Sequence, residues 1–370
     1  MRFAWLIIWL AWATSAFSQT FEDAEKLADD GDWAAALEIW HGLAQKGHVR
    51  SLVQLGDSYY FGEGIEVQFD QAFGYYLQAA EQGDSRAQYN IATMYDFGEG
   101  TPEDDVKAVI WYRMAAAQGV ASAQDNLGYM YENGEGVEQD YVAAFALYQL
   151  AAAQGLPNAL NNLGIACESG QGVNRDISKA LVNYREAAKG NNSYAQYNLG
   201  RAYDYGNGVL ENIDTALDWY QQSAEQGTDL AQERLGDLYL VDSRHSQNFE
   251  LAIFWHEKAA EQGVFASQRA LWGIYSDDAG WPRDDVRAEF WYLTALRQGA
   301  VEPYAGLAML YTDPVEGEPD YLRAFMWYSL ADGAMAWLQK AALMADLTAQ
   351  QVTEATEMAV ICRDSGYVDC

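Results

Sequence analysis

The sequence predicts an all-α chain of stacked helical hairpins, an αα-hairpin solenoid ending in a C-terminal helical cap. Three observations carry that reading. An aliphatic residue recurs every 36 positions, at Leu55, Ile91, Leu127, Leu163, Leu199, Leu235, Leu271 and Leu307. A second series, Ala36, Ala72, Ala108, Ala144, Ala180, Ala216, Ala252, Ala288 and Ala324, runs in parallel and is followed by aromatic pairs such as Trp111-Tyr112 and Trp291-Tyr292. Glycines separate the two series at fixed offsets. One hairpin of about 36 residues cannot bury its own apolar face, so neighbours must stack.

In chain order, residues 1–18 read as a secretory leader. Arg2 supplies the charge, Phe3 to Ala13 the apolar stretch, and Ala16-Phe17-Ser18 a small-x-small cleavage site before Gln19. The apolar run falls short of the ~20 residues a spanning helix needs, so cleavage is the leading reading and an uncleaved anchor the alternative. A periplasmic or secreted location follows. Residues 19–47 then form an N-terminal cap and partial repeat, and residues 48–333 about eight repeats.

Within each repeat the first helix carries the periodic aliphatic residue. A small residue stands four before it (Ala87, Ala123, Ala159, Ala195, Ala231), and a ring usually stands four after it (Tyr59, Tyr95, Tyr131, Tyr203, Tyr239, Tyr275, Tyr311). Spacings of four put all three on one helical face. Cys167 takes the tyrosine register of its repeat, which predicts a buried structural thiol. A glycine loop follows, as in Gly62-Glu63-Gly64, Gly98-Glu99-Gly100, Gly134-Glu135-Gly136, Gly170-Gln171-Gly172 and Gly206-Asn207-Gly208. Its glycines can adopt the left-handed conformation that ends a helix. Asp32, Asp104, Asp140, Asp176, Asn212, Asn248, Asp284 and Asp320 stand four residues before the recurring alanine, where an N-cap belongs. The second helix ends at Gly47, Gly83, Gly119, Gly155, Gly190, Gly227, Gly263 and Gly299.

Residues 334–370 leave this pattern and read as a helix over 334–346, a Thr348-x-x-Gln351 capping box, and a helix to about Ile361. A cap with a polar outer face is what the end of a solenoid needs. Cys362 and Cys370 can close a short loop in an oxidising compartment, with two free thiols as the alternative.

The run Asn126-Leu127-Gly128-Tyr129-Met130-Tyr131-Glu132-Asn133-Gly134-Glu135-Gly136-Val137, followed by Ala151-Ala152-Ala153-Gln154-Gly155, resembles the Sel-one-like repeat (SLR) of the tetratricopeptide-like superfamily. The resemblance covers roughly residues 30–333. It implies a right-handed αα superhelix that acts as an adaptor or scaffold through its concave face, without catalytic residues or cofactors. It also suggests envelope signalling, or exopolysaccharide and cell-envelope assembly. Three loops depart from the pattern: Asp242-Ser243-Arg244-His245, Asp278-Ala279-Gly280-Trp281 and Pro314-Val315-Glu316-Gly317.

Composition narrows the function further. With 54 Asp and Glu against 22 Lys and Arg, the formal net charge is −32, which argues against a nucleic-acid binder. No metal site is expected, because His41, His48, His245 and His256 lack ligand spacing. The glycine loops lack the motifs of a phosphate cradle. A hydrolase or β-lactam-binding protein of the envelope is the alternative function, but no Ser-x-x-Lys set supports it.

What remains is the face of the first helices opposite the periodic leucine: Tyr89, Thr93, Asp125, Tyr129, Ile165, Tyr197, Arg201, Asp237 and Arg269. These residues vary from repeat to repeat while the core register holds, so the scaffold does not dictate them. The expected function is an exported, monomeric, non-catalytic adaptor. It would hold a protein or peptide partner with a basic patch on this concave face, with no stable membrane insertion after leader cleavage.

Overall fold

The computed structural model describes residues 20–241, 248–276, 281–300, 303–368 and 370. The leader reading, His245 and the departures at 242–245 and 278–280 lie outside these residues. Among the described residues there are twenty α-helices and no strand, and no helix is long and apolar enough to cross a membrane.

The chain divides into two compact units, residues 1–183 and 184–370, with the boundary inside one helix. The first unit holds α1 (Phe21–Asp29), α2 (Trp33–Ala44), α3 (Val49–Phe61), α4 (Phe69–Glu81), α5 (Ser85–Phe97), α6 (Asp105–Ala117), α7 (Ala121–Asn133), α8 (Tyr141–Ala152) and α9 (Pro157–Ser169); α10 (Ile177–Lys189) contains the boundary. The second unit continues with α11 (Ser193–Asp204), α12 (Ile213–Glu225), α13 (Asp229–Val241), α14 (Phe249–Glu261), α15 (Phe265–Ser276), α16 (Asp285–Arg297), α17 (Tyr304–Thr312), α18 (Tyr321–Leu330), α19 (Ala334–Leu343) and α20 (Ala349–Asp364).

The periodic residues make the core. All eight aliphatic positions and all nine recurring alanines are buried. Each large side chain so buried contributes roughly 1.5–3 kcal/mol relative to exposure. The alanines leave room for helices to approach closely, and the tyrosines of the second helices fill the space between. Tyr112 donates to Asp96 at 2.9 Å, Tyr148 to Glu132 at 2.6 Å and Tyr220 to Asp204 at 3.0 Å. Each buried hydroxyl thereby keeps a partner.

Punctuation follows the sequence closely. Every Asp or Asn of the N-cap series accepts a backbone N–H from the first turn of its helix, for example Lys107 N–H to Asp104 at 3.0 Å and Lys179 N–H to Asp176 at 3.0 Å. From Asp104 onward the backbone N–H of the same capping residue donates back to the ring register of the preceding helix, as from Asp104 to the Tyr95 carbonyl at 2.9 Å. Gly62, Gly98, Gly134 and Gly170 all cap in the left-handed region. One expectation needs correction. The second-helix terminus expected at Gly190 is formed by Asn191, whose φ is 61°; it stands 36 residues after Gly155, and asparagine tolerates the left-handed region better than most residues.

Cys167 is buried, and burial pushes its thiol pKa up. Where other repeats place a ring, its small side chain borders a cavity of about 520 Å3 with Phe145, Leu163 and Val182. Lys179 lines it too, in the register where Lys107 covers Tyr95 at 5.0 Å and Arg287 covers Tyr275 at 5.3 Å.

At the C-terminus the Thr348–Gln351 capping box forms and Cys362 is bonded to Cys370. The polar outer face expected of the cap does not appear on α19. Only Ala336 and Leu343 of that helix are buried, whereas Met335, Trp337 and Leu338 are exposed. Its composition is that of a repeat helix.

Candidate functional site

The face expected to meet a partner is built by the first helices of successive hairpins, with the core leucines on their opposite side. Its residues fall into two groups. Tyr89 and Tyr197 are half-buried and lean on second-helix tyrosines, with ring centroids 6.0 Å from Tyr112 and 5.7 Å from Tyr220. Burial raises both phenolic pKa values. Thr93 donates its hydroxyl to the Asn90 carbonyl at 2.8 Å. Asp125 is buried and accepts from Asn162 of the next hairpin at 3.0 Å, and desolvation pushes it up to about 6. Tyr89, Tyr197 and Asp125 thus tie helices together, whereas Thr93 bonds only within its own helix.

The second group reaches solvent. Tyr129 is 54% exposed, Ile165 is at the edge of exposure and Arg269 is exposed. Arg201 is half-buried. Asp237 is half-exposed; its carboxylate stands 3.9 Å from Arg234 and 3.7 Å from His256, and burial raises its pKa against the pull of Arg234 and Arg269.

Around Tyr129 the structure adds groups that the sequence did not single out. Asp96 and Phe97 from the end of α5, Glu103 from the following loop, Asp105 from the first turn of α6, Asn126 and Tyr129 from α7 and Glu135 from its glycine loop line one cavity of about 440 Å3. Phe97 is exposed at its mouth. Burial raises the pKa of Asp96, with repulsion from Asp105 and Glu103 adding to it; burial also raises Glu135, with Asp105 and Asp96 as the repelling charges. Four carboxylates around one cavity make a local potential that favours a cation, and two rings at the mouth can cover its apolar stem. A sequence signal was present, since Glu99 and Glu135 recur in the loops and Asp96, Glu132, Glu168 and Asp204 recur one residue after the ring register. Their convergence was not visible, because it depends on consecutive hairpins being placed side by side. Among the described residues no group of His, Cys, Asp and Glu is arranged to hold a metal ion.

Comparison with known proteins agrees with this architecture. A family model described as the Sel1 repeat matches residues 49–84, 85–120, 121–156, 157–192, 193–228, 229–264, 272–299, 304–331 and 332–346. A Sel1 repeat protein from Oxalobacter formigenes of known structure is 29% identical, with a TM-score of 0.60 over 66% of this chain and 100% of that one. A protective antigen of uropathogenic Escherichia coli displaying an SLR fold is 25% identical over 94% of this chain and 96% of its own, with a TM-score of 0.43. An immunity protein from Pseudomonas aeruginosa is 22% identical over 58% of this chain and 81% of its own, with a TM-score of 0.41. No curated protein matches the chain.

Proposed function

The chain belongs to the Sel1 repeat family, and we propose that it is an exported adaptor that holds a protein partner on the concave face of its first helices. The observation that supports this reading most is the cavity at Tyr129, where two exposed rings stand beside four mutually repelling carboxylates. Such a site suits a lysine or arginine side chain of a partner with a basic patch, and the formal charge of −32 would steer that partner from a distance at low salt. In the first unit Tyr129 and Ile165 make the contacts while Tyr89 and Asp125 hold the floor; in the second, Arg269 makes the contact and Tyr197 is the floor. Export rests on the leader-like residues 1–18 and on the Cys362–Cys370 disulfide, a bond that oxidising compartments preserve. Envelope signalling and envelope assembly are the settings it fits.

The test is fluorescence anisotropy of a labelled oligolysine peptide against the full chain, at low salt and at about 0.15 M, where the screening length is roughly 8 Å. Binding should weaken steeply with salt. The combined Tyr129→Ala, Glu103→Gln and Glu135→Gln changes should weaken it about tenfold at low salt. Affinity indifferent to salt, or unchanged in the variant, would end this reading.

A further inference from the structure

In the regular repeats the second glycine of the loop is held against the backbone of the preceding hairpin. A Cβ on Gly100 would lie 2.3 Å from the Phe69 carbonyl oxygen, one on Gly136 2.3 Å from that of Asp105, and one on Gly172 2.0 Å from that of Tyr141. Only glycine permits that approach, and it closes the loop onto its neighbour. The equivalent residue between α17 and α18 is Glu316, and the carbonyl it would strike belongs to Asp285. Pro314 stands at the first glycine of the loop, where proline's fixed φ forbids a left-handed cap. The helix accordingly ends on Asp313 with φ −140°, and the loop's own glycine, Gly317, comes one residue late with φ 93°.

The loop therefore stands off. In place of the close glycine contact, the Val315 N–H donates to the Asp285 carboxylate at 2.7 Å, and the other oxygen of that carboxylate accepts from Arg283 Nε, also at 2.7 Å. Arg283 also donates to the Asp313 carbonyl. Behind this brace a cavity of about 700 Å3 opens, with Trp281, Pro282, Val286, Tyr311 and Pro314 among its walls. Both arginines of the wall are engaged, Arg283 as described and Arg287 with the Tyr275 hydroxyl at 2.9 Å. On the lip, Glu316 and Glu318 are exposed and make no hydrogen bond or ion pair among the described residues.

We infer that this cavity in the second unit is a binding site for an arginine side chain, flanked by aliphatic residues, of a partner peptide. The guanidinium would stack on Trp281 and meet Glu316 and Glu318, while the aliphatic neighbours cover the prolines and valines. The inference shares with the proposed adaptor role only the basic character of the partner, and it uses a different surface.

The experiment is 19F NMR of the full chain labelled with 5-fluorotryptophan, with the Trp281 resonance assigned through Trp281→Phe. The probes are acetyl-Leu-Arg-Leu-amide and its citrulline counterpart, which keeps the shape and lacks the charge. The Trp281 resonance should move saturably with the arginine peptide, and the citrulline peptide should bind about five- to tenfold more weakly. Glu316→Gln with Glu318→Gln should reproduce that loss. A loop carrying Pro314→Gly, Val315→Glu, Glu316→Gly and Gly317→Val, the residues that the chain itself uses at 134–137, should close the cavity and abolish the response while the other tryptophan signals keep their dispersion. Tyr129→Ala should leave the titration unchanged, which separates this site from the concave face. Equal binding of both peptides, an undiminished response in the regular loop, or a silent Trp281 would each overturn the inference.

Discussion

At position 256 the ring of the second helix is a histidine, and its surroundings show what the tyrosines in that register need. In three other hairpins the hydroxyl of that ring, on Tyr112, Tyr148 and Tyr220, finds a carboxylate at the end of the first helix, but Leu240 stands where Asp96, Glu132 and Asp204 stand, so no acid is offered there. His256 is fully buried over Gly236, its Nδ1 meets the Ser267 hydroxyl at 3.1 Å, and its Nε2 has no hydrogen-bond partner. Asp237 at 3.7 Å is too distant for a hydrogen bond, so desolvation decides and holds the imidazole pKa down to about 4, from 6.5. Neutral His256 therefore contributes stability that is fully present above about pH 6.5, declines as pH falls towards 4, and is lost below it, at most about 3 kcal/mol. Asp125 in the first unit has the opposite sign: its pKa is raised to about 6, so its burial costs stability above that pH and is relieved as pH falls through 6 towards 3.8. Urea unfolding of the natural chain and of His256→Phe, compared at about pH 7 and about pH 4.5, should show the natural chain losing more. Equal losses would place the imidazole in water.

Among the elements, the loops carry the strictest stereochemistry. Gly136 combines φ 62° with a backbone approach that no Cβ fits. Gly136→Ala should therefore destabilise the α7–α8 hairpin by about 2 kcal/mol or more, from the left-handed penalty of ~1–2 kcal/mol and the displaced backbone together. Thermal denaturation of that variant beside Gly155→Ala isolates the close approach, since Gly155 is also left-handed but a Cβ there meets nothing within 4 Å. Equal losses in the two would reject the packing argument. The second helices add another regular contact. Gln118 donates to Gln88 at 2.8 Å and Gln154 to Gln124 at 2.9 Å, and in the second unit Gln226 donates to Gln196 at 2.6 Å and Gln262 to Gln232 at 2.7 Å. The glutamine before each terminal glycine could be read as part of the repeat. Its role as a rung between the two helices of one hairpin could not.

At the scale of the whole molecule, the hydrophobic side chains of the described residues gather in serial clusters. Within the first unit they span residues 21–94, 92–130 and 144–163, and within the second 216–255 and 253–362. Contacts of this nearest-neighbour kind do not enforce all-or-none unfolding. Scanning calorimetry should give a calorimetric enthalpy well above the van't Hoff value, and a ratio near one would show coupling along the whole chain.

The sequence by itself determined the helices, their caps, their turns and the buried register, because each depends on residues within one hairpin or on strict recurrence: Leu127 predicts Leu163, and Asp104 predicts its own cap. It also marked Pro314 to Gly317 as a departure. Tertiary structure decided what that departure does, since the Asp285 carboxylate that accepts from the Val315 N–H lies on the preceding hairpin. It likewise decided that Asp125 is buried and that Asp96, Glu103, Asp105 and Glu135 share one cavity. Periodicity fixes which way a side chain leaves its helix. Only the packing of one hairpin on the next fixes what that side chain meets.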